Sequence, residues 1–145
     1  MPLDPEIAQA NRAATARIRA LADRCSDTDL ATHVGEHWTV AVVFAHLAFW
    51  DRRPLGIIGQ VEREGRLEER VVDPVANDYS LPLWLAIPPR EAVRLALEAS
   101  DELDDRLEHA SDDVIATILA HNERWIRRHL HRNEHLDEAE AALAG

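Results

Sequence analysis

ERWIRRHLHRNEHLDEAEAAL, residues 123–143, contains neither Gly nor Pro and is rich in helix formers. The stretch is expected to form one helix of about five or six turns. Trp125, Leu136, Ala139 and Leu143 fall near one face of such a helix and are its expected packing stripe. His131 and His135 are four residues apart, so their rings lie one above the other at the edge of that stripe, beside Ala142. Two imidazoles at this spacing can reach one metal ion, and a third ligand from elsewhere in the chain would complete a site.

Working outward, three further main helices are expected. Ser111-Asp112-Asp113 can cap a short helix carrying Val114, Ile115, Ile118 and Leu119, which leads through His121-Asn122 into the closing stretch. Before it, Pro88 or Pro89 opens a helix whose stripe is Val93, Ala96, Leu97, Ser100, Leu103 and Leu107. Residues 66–89 have no clear periodicity and read as a long crossover, with only the brief Arg70-Val71-Val72 run resembling a strand. Thr39 can cap a helix through residue 64, with Pro54 expected to kink or divide it. Ser26 to Trp38 reads as a connection, and its His33 and His37 as loop histidines. At the start, Asp4-Pro5-Glu6 caps and opens a helix with Ile7, Ala10, Ala14, Ile18, Leu21 and Cys25 on one face. Cys25 is expected in the core rather than as a reactive thiol. The fold class expected is all-α: one domain over residues 1–145, a four-helix bundle with a long crossover between its second and third helices.

The chain has 145 residues, 27 Asp and Glu against 16 Lys and Arg, and a net charge of −11. Such a chain is repelled by phosphate backbones and anionic lipids, so neither nucleic acid nor membrane is expected as a partner. With no signal peptide, no long apolar run and a single cysteine, a cytoplasmic protein is expected.

His46 lies in an apolar surface of the second main helix, with Val42 and Val43 a turn before it and Phe49 and Trp50 a turn after. In a bundle this helix can face the closing one, which would bring His46 to His131 and His135. Three neutral imidazoles suit a divalent metal, and histidine ligation alone does not select among zinc, nickel, manganese and iron, of which zinc is the one expected first. Three protein ligands also leave a position open for water or substrate, the pattern of a catalytic site.

The segment WTVAVVFAHL, residues 38–47, resembles the opening of the second helix in DinB-like proteins. It is closest to their mycothiol-dependent maleylpyruvate isomerase N-terminal branch. HRNEHLDE, residues 131–138, is similar to that family's His-x-x-x-His-Leu closing helix, with Ala139 where an Ile is usual. LPLW, residues 81–84, also resembles that branch. The resemblance implies a four-helix bundle holding a divalent metal on His46, His131 and His135. It further implies a homodimer, a small-molecule substrate and a low-molecular-weight thiol such as mycothiol. The isomerases carry a second, C-terminal domain that 145 residues do not accommodate. The expectation is therefore the wider chemistry of thiol-dependent transferases and isomerases rather than maleylpyruvate itself.

Three readings of function follow. In the first, a metal-activated thiolate attacks a small electrophile. The crossover from Asp73 to Trp84 walls the pocket, and Arg53, Arg128 or Arg132 bind substrate carboxylates or else stay solvated on the surface. The second is metal-dependent hydrolysis, with Asp51 or Glu138 as base if either is not simply an exposed carboxylate. The third is a non-catalytic helical dimer that binds metal or a small ligand.

Overall fold

The Asp4-Pro5-Glu6 start forms as the sequence predicts. In the structure, a computed structural model that describes residues 3–68 and 73–145, the Asp4 carboxylate accepts from the Glu6 N–H at 2.8 Å. Helix α1 (Pro5–Arg24) runs from there. The connection that follows is more ordered than expected. Ser26 and Asp29 form a reciprocal capping box on a single-turn helix, α2 (Asp27–Leu30). Gly35, at φ +69°, then turns a two-stranded antiparallel ribbon, β1 (His33–Val34) and β2 (Trp38–Thr39).

Thr39 caps α3 (Val40–Glu64), its side chain accepting from Val42 N–H at 3.2 Å. Pro54 does not divide this helix. A proline removes the N–H that would bond the carbonyl four residues earlier. That carbonyl belongs to Trp50, and it accepts instead from Arg128 Nη2 at 3.4 Å. The crossover is likewise not all loop, because α4 (Ala76–Leu85) occupies its second half. Asp73 starts α4 by accepting from Val75 N–H through its side chain and from Ala76 N–H through its carbonyl. Its buried face is Ala76, Ser80 and Trp84, two small residues and one large one, so the sequence carries no apolar period there. The Arg70-Val71-Val72 run lies outside the described residues. Pro89 opens α5 (Pro89–His109), and Ser111 caps α6 (Asp112–His121).

The closing stretch is not one helix. The Asn122 side chain caps a 3-10 turn over Glu123–Trp125, Arg127 leaves helical geometry (φ −83°, ψ 68°), and α7 (Arg128–Ala144) starts afresh. Helix α7 has no cap of its own. Asn11 on α1 supplies one: its Nδ2 donates to the Ile126 carbonyl at 2.9 Å and its Oδ1 accepts from His129 N–H at 3.0 Å. Trp125 therefore lies off α7, and the buried face of α7 is Arg128, Arg132, Leu136 and Ala139. Asn11 is 1% exposed, and Asn11→Ala leaves the His129 N–H without its acceptor, while the Ile126 carbonyl keeps the Arg128 N–H at 3.0 Å. A loss of about 1–3 kcal/mol is expected in urea unfolding.

The described residues are mostly helical and place the chain in the all-α class. Helix α3 packs along α5, α1 against α5 and α7, and α7 against α3. The core has two apolar parts. One gathers Ile18, Leu21, Val43, Phe44, Leu47, Trp84 and Leu136; the other gathers Ile7, Ile58, Leu103, Leu107, Ile118, Trp125 and Ile126. Between them each long helix contributes buried polar residues: Asn11 and Thr15 from α1, Asp51 from α3, Ser100 and Asp104 from α5, and Arg128 and Arg132 from α7. The Arg132 Nε donates to Asp51 at 3.0 Å, and its Nη1 to Asp104 at 2.9 Å and to Thr15 Oγ1 and the Asn11 carbonyl at 3.1 Å. All 16 basic residues of the chain are arginines, and only a guanidinium has donors enough to span such a belt.

Candidate metal centre

His46 projects from α3 into the upper core and is 2% exposed. His131 and His135 project from α7, one turn apart, and each places its Nε2 3.0 Å from His46 Nε2. The structure thus brings together the three histidines singled out by spacing, with one ligand atom from each within 4.8 Å of the others. His33 and His37, in the ribbon, are exposed and stand apart from this group, as do His109 and His121. Trp38 lies over the triad, 4.7 Å from the His46 ring and stacked on His135 at 5.9 Å, while Trp84 meets His46 edge-on at 5.2 Å.

Two flanking charges decide which nitrogens carry protons. Glu138 Oε2 is 3.2 Å from His135 Nδ1. A carboxylate only accepts, so His135 donates from Nδ1 and turns the lone pair of Nε2 inward. Arg128 Nη2 is 3.2 Å from His131 Nδ1. A guanidinium only donates, so the proton of neutral His131 sits on Nε2 and bridges to His46 Nε2. The second contact, His46 to His135, then sets two lone pairs 3.0 Å apart. A cation among the three nitrogens relieves that repulsion, at the cost of moving the His131 proton. The donor set therefore fits a divalent ion of the imidazole-binding kind. Burial, and then the charges of His135 and Arg128, push His46 down to about 3. Burial and Arg128 also push His131 well below the ordinary imidazole range. Both are neutral at pH 7, the form a metal requires.

Beside the triad lies an open cleft of about 360 Å³. Trp50, Trp125 and Asn77 wall it, with Trp50 Nε1 donating to Asn77 Oδ1 at 2.8 Å. Asn77 comes from α4, so the crossover does reach the pocket, as expected. The charged candidates divide. Arg128 and Arg132 are 5% and 0% exposed, so neither is a solvated surface residue. Arg132 is enclosed in the belt, while Arg128 and the half-buried Arg53 line the cleft. Asp51 is not an exposed carboxylate either, at 1% exposure and bonded to both α7 arginines. Glu138 is half exposed and holds His135. Cys25 is buried in the core, and burial raises its thiol.

The support given by Asp51 and Arg128 was missed in the sequence reading. Pro54 carried a signal of it, since the carbonyl it frees needs a donor from another element.

Comparison with protein-family models, with curated proteins and with solved structures gave no match.

The Glu138 contact makes a prediction of its own. Glu138→Gln keeps the size but weakens the hold on the His135 tautomer, and metal affinity is expected to fall about 10–100-fold by competitive chelator titration. An unchanged affinity would show that Glu138 is only a surface carboxylate.

Proposed function

We propose that this chain is a divalent-metal-binding four-helix bundle of the DinB-like kind, a thiol-dependent transferase or isomerase acting on a small electrophile. The convergence of three imidazole Nε2 atoms beside an open cleft carries this reading. A divalent metal, zinc foremost, would supply acidification of a bound thiol, so that a thiolate is present at neutral pH. His46, His131 and His135 would hold it, Trp38 and Trp84 would screen one side from water, and the cleft would admit thiol and substrate on the other. Mycothiol is the thiol that the resemblance suggests, and a cytoplasmic homodimer is the accompanying assembly.

Hydrolysis is less well supported because it needs a base at the site. Asp51 is engaged by two arginines and Glu138 by His135. Neither lines the cleft, and among the described residues no Asp or Glu does.

The test is elemental analysis after dialysis against zinc, nickel or manganese, followed by electrophile turnover with and without mycothiol. One metal per chain and thiol-dependent turnover are expected. Turnover without thiol would favour hydrolysis. Metal without turnover would favour a non-catalytic binding protein, and no metal uptake overturns the metal reading.

A further inference from the structure

The chain is strongly acidic, at −11, yet its cleft is not. Arg53, Arg124 and Arg128 line it and, among the described residues, no Asp or Glu does. The three arginines differ in what they offer. Arg128 is committed: Nε to Asp51, Nη1 to the Arg124 carbonyl, and Nη2 to the Trp50 carbonyl and His131. Its charge is balanced by Asp51, and it offers the cleft no free contact. Arg53 lies with its guanidinium 5.8 Å from the Trp50 ring centre and 5.3 Å from that of Trp125. Arg124 stands at the rim, 43% exposed, in a 3.1 Å pair with Glu134, itself 57% exposed. Exposed pairs of this kind are weak and exchange partners readily.

The neutral polar groups have the same sense. Asn77 uses its side-chain oxygen to accept from Trp50 Nε1, and Asn122 uses its own to accept from Arg124 N–H. Asn122 is left with an amide NH2, which only donates, while the Asn77 side chain also meets His46. The cleft thus combines donors and positive charge with the indoles of Trp50 and Trp125, and at about 360 Å³ it is near the small end of ligand sites.

We infer that this cleft binds a small organic anion: a carboxylate gripped by Arg124 and the Asn122 amide, with a flat apolar body against Trp50 and Trp125. The inference names the charge class of the substrate and rests on reading this cleft as the substrate site. The carboxylate would take over the Arg124 guanidinium from Glu134, a bidentate pairing for which arginine is suited. The low dielectric of the tryptophan walls would strengthen that pairing relative to open water.

The experiment is calorimetric titration of the full chain, metal-free and zinc-loaded, with benzoate, cinnamate and the uncharged cinnamamide. Cinnamate is expected to bind about tenfold or more tighter than the amide. Arg124→Gln is expected to remove about tenfold of cinnamate affinity while leaving the amide unchanged. Arg53→Gln should act in the same direction, with circular dichroism confirming that each variant is folded. Equal binding of acid and amide overturns the inference, and so does the absence of binding by both carboxylates. Cinnamate that binds only with zinc, and is indifferent to both arginine variants, is a metal ligand and overturns it as well. Discrimination in a protein that takes up no zinc leaves the cleft standing and removes the metal reading. Zinc uptake without discrimination does the reverse.

Discussion

Asp51→Asn is expected to cost about 3–5 kcal/mol of folding stability, the range for breaking one side of a buried ion pair. Asp51 is 1% exposed and gives one oxygen to each arginine of α7, to Arg128 Nε at 2.9 Å and Arg132 Nε at 3.0 Å. Asparagine has a single acceptor and would turn its NH2 against one of the two guanidinium groups. The arginines do not suffer equally. Arg132 keeps Asp104 at 2.9 Å, whereas Asp51 is the one carboxylate paired with Arg128 among the described residues. The uncompensated charge therefore appears on Arg128, 3.2 Å from His131. Metal affinity should fall together with stability, since a cation would then approach an unscreened guanidinium. Asp104→Asn is the control: it lowers stability through Arg132 but leaves the Asp51–Arg128 pair intact, so metal affinity should change far less. Urea unfolding and chelator competition measure the two effects separately. A cost for Asp51→Asn below about 1 kcal/mol would mean that water reaches the belt.

His46→Ala is expected to abolish stoichiometric metal binding while the fold survives. Removing one of three ligands leaves an i, i+4 histidine pair on a single helix, an incomplete site expected to bind at least about a hundredfold more weakly. The fold should tolerate the change because two costs oppose each other. The substitution opens a cavity beneath Trp38 and Trp84, but it also removes His46 Nδ1, a buried nitrogen with no hydrogen-bond partner among the described residues. The metal-free protein should lose no more than about 2 kcal/mol. Zinc should raise the melting temperature of the wild type and not that of the variant. Equal zinc-induced shifts in both proteins would place the metal elsewhere.

What the sequence disclosed was whatever depends on neighbours in the chain. Asp4, Thr39 and Ser111 start helices through groups two or three residues away, Pro89 opens one through its own ring, and all four starts were legible. The histidine cluster was legible because i, i+4 spacing on a helix is local and a lone histidine in an apolar run stands out. What stayed hidden depends on partners far along the chain. Asp51 meets Arg128 and Arg132 across separations of 77 and 81 residues, so the sequence offered each of the three only as a site residue or a solvated charge, not as part of a buried pair. The break before α7 contains no Gly or Pro, because the cap that permits it comes from Asn11, 118 residues before His129. Helix α4 hid because small residues and one tryptophan line its buried face in place of an apolar stripe.

The polar belt also bears on the order of events during synthesis. Asp51 and Asp104 leave the ribosome well before α7, which carries both of the arginines that answer them. Until α7 emerges, closing α1, α3 and α5 together would desolvate two carboxylates without their counter-charges. The nascent chain is thus held open at its middle. When α7 docks, the same helix delivers Arg128 and Arg132 to the belt and His131 and His135 to His46. A half-made chain therefore cannot present a finished three-histidine site to the metals around it.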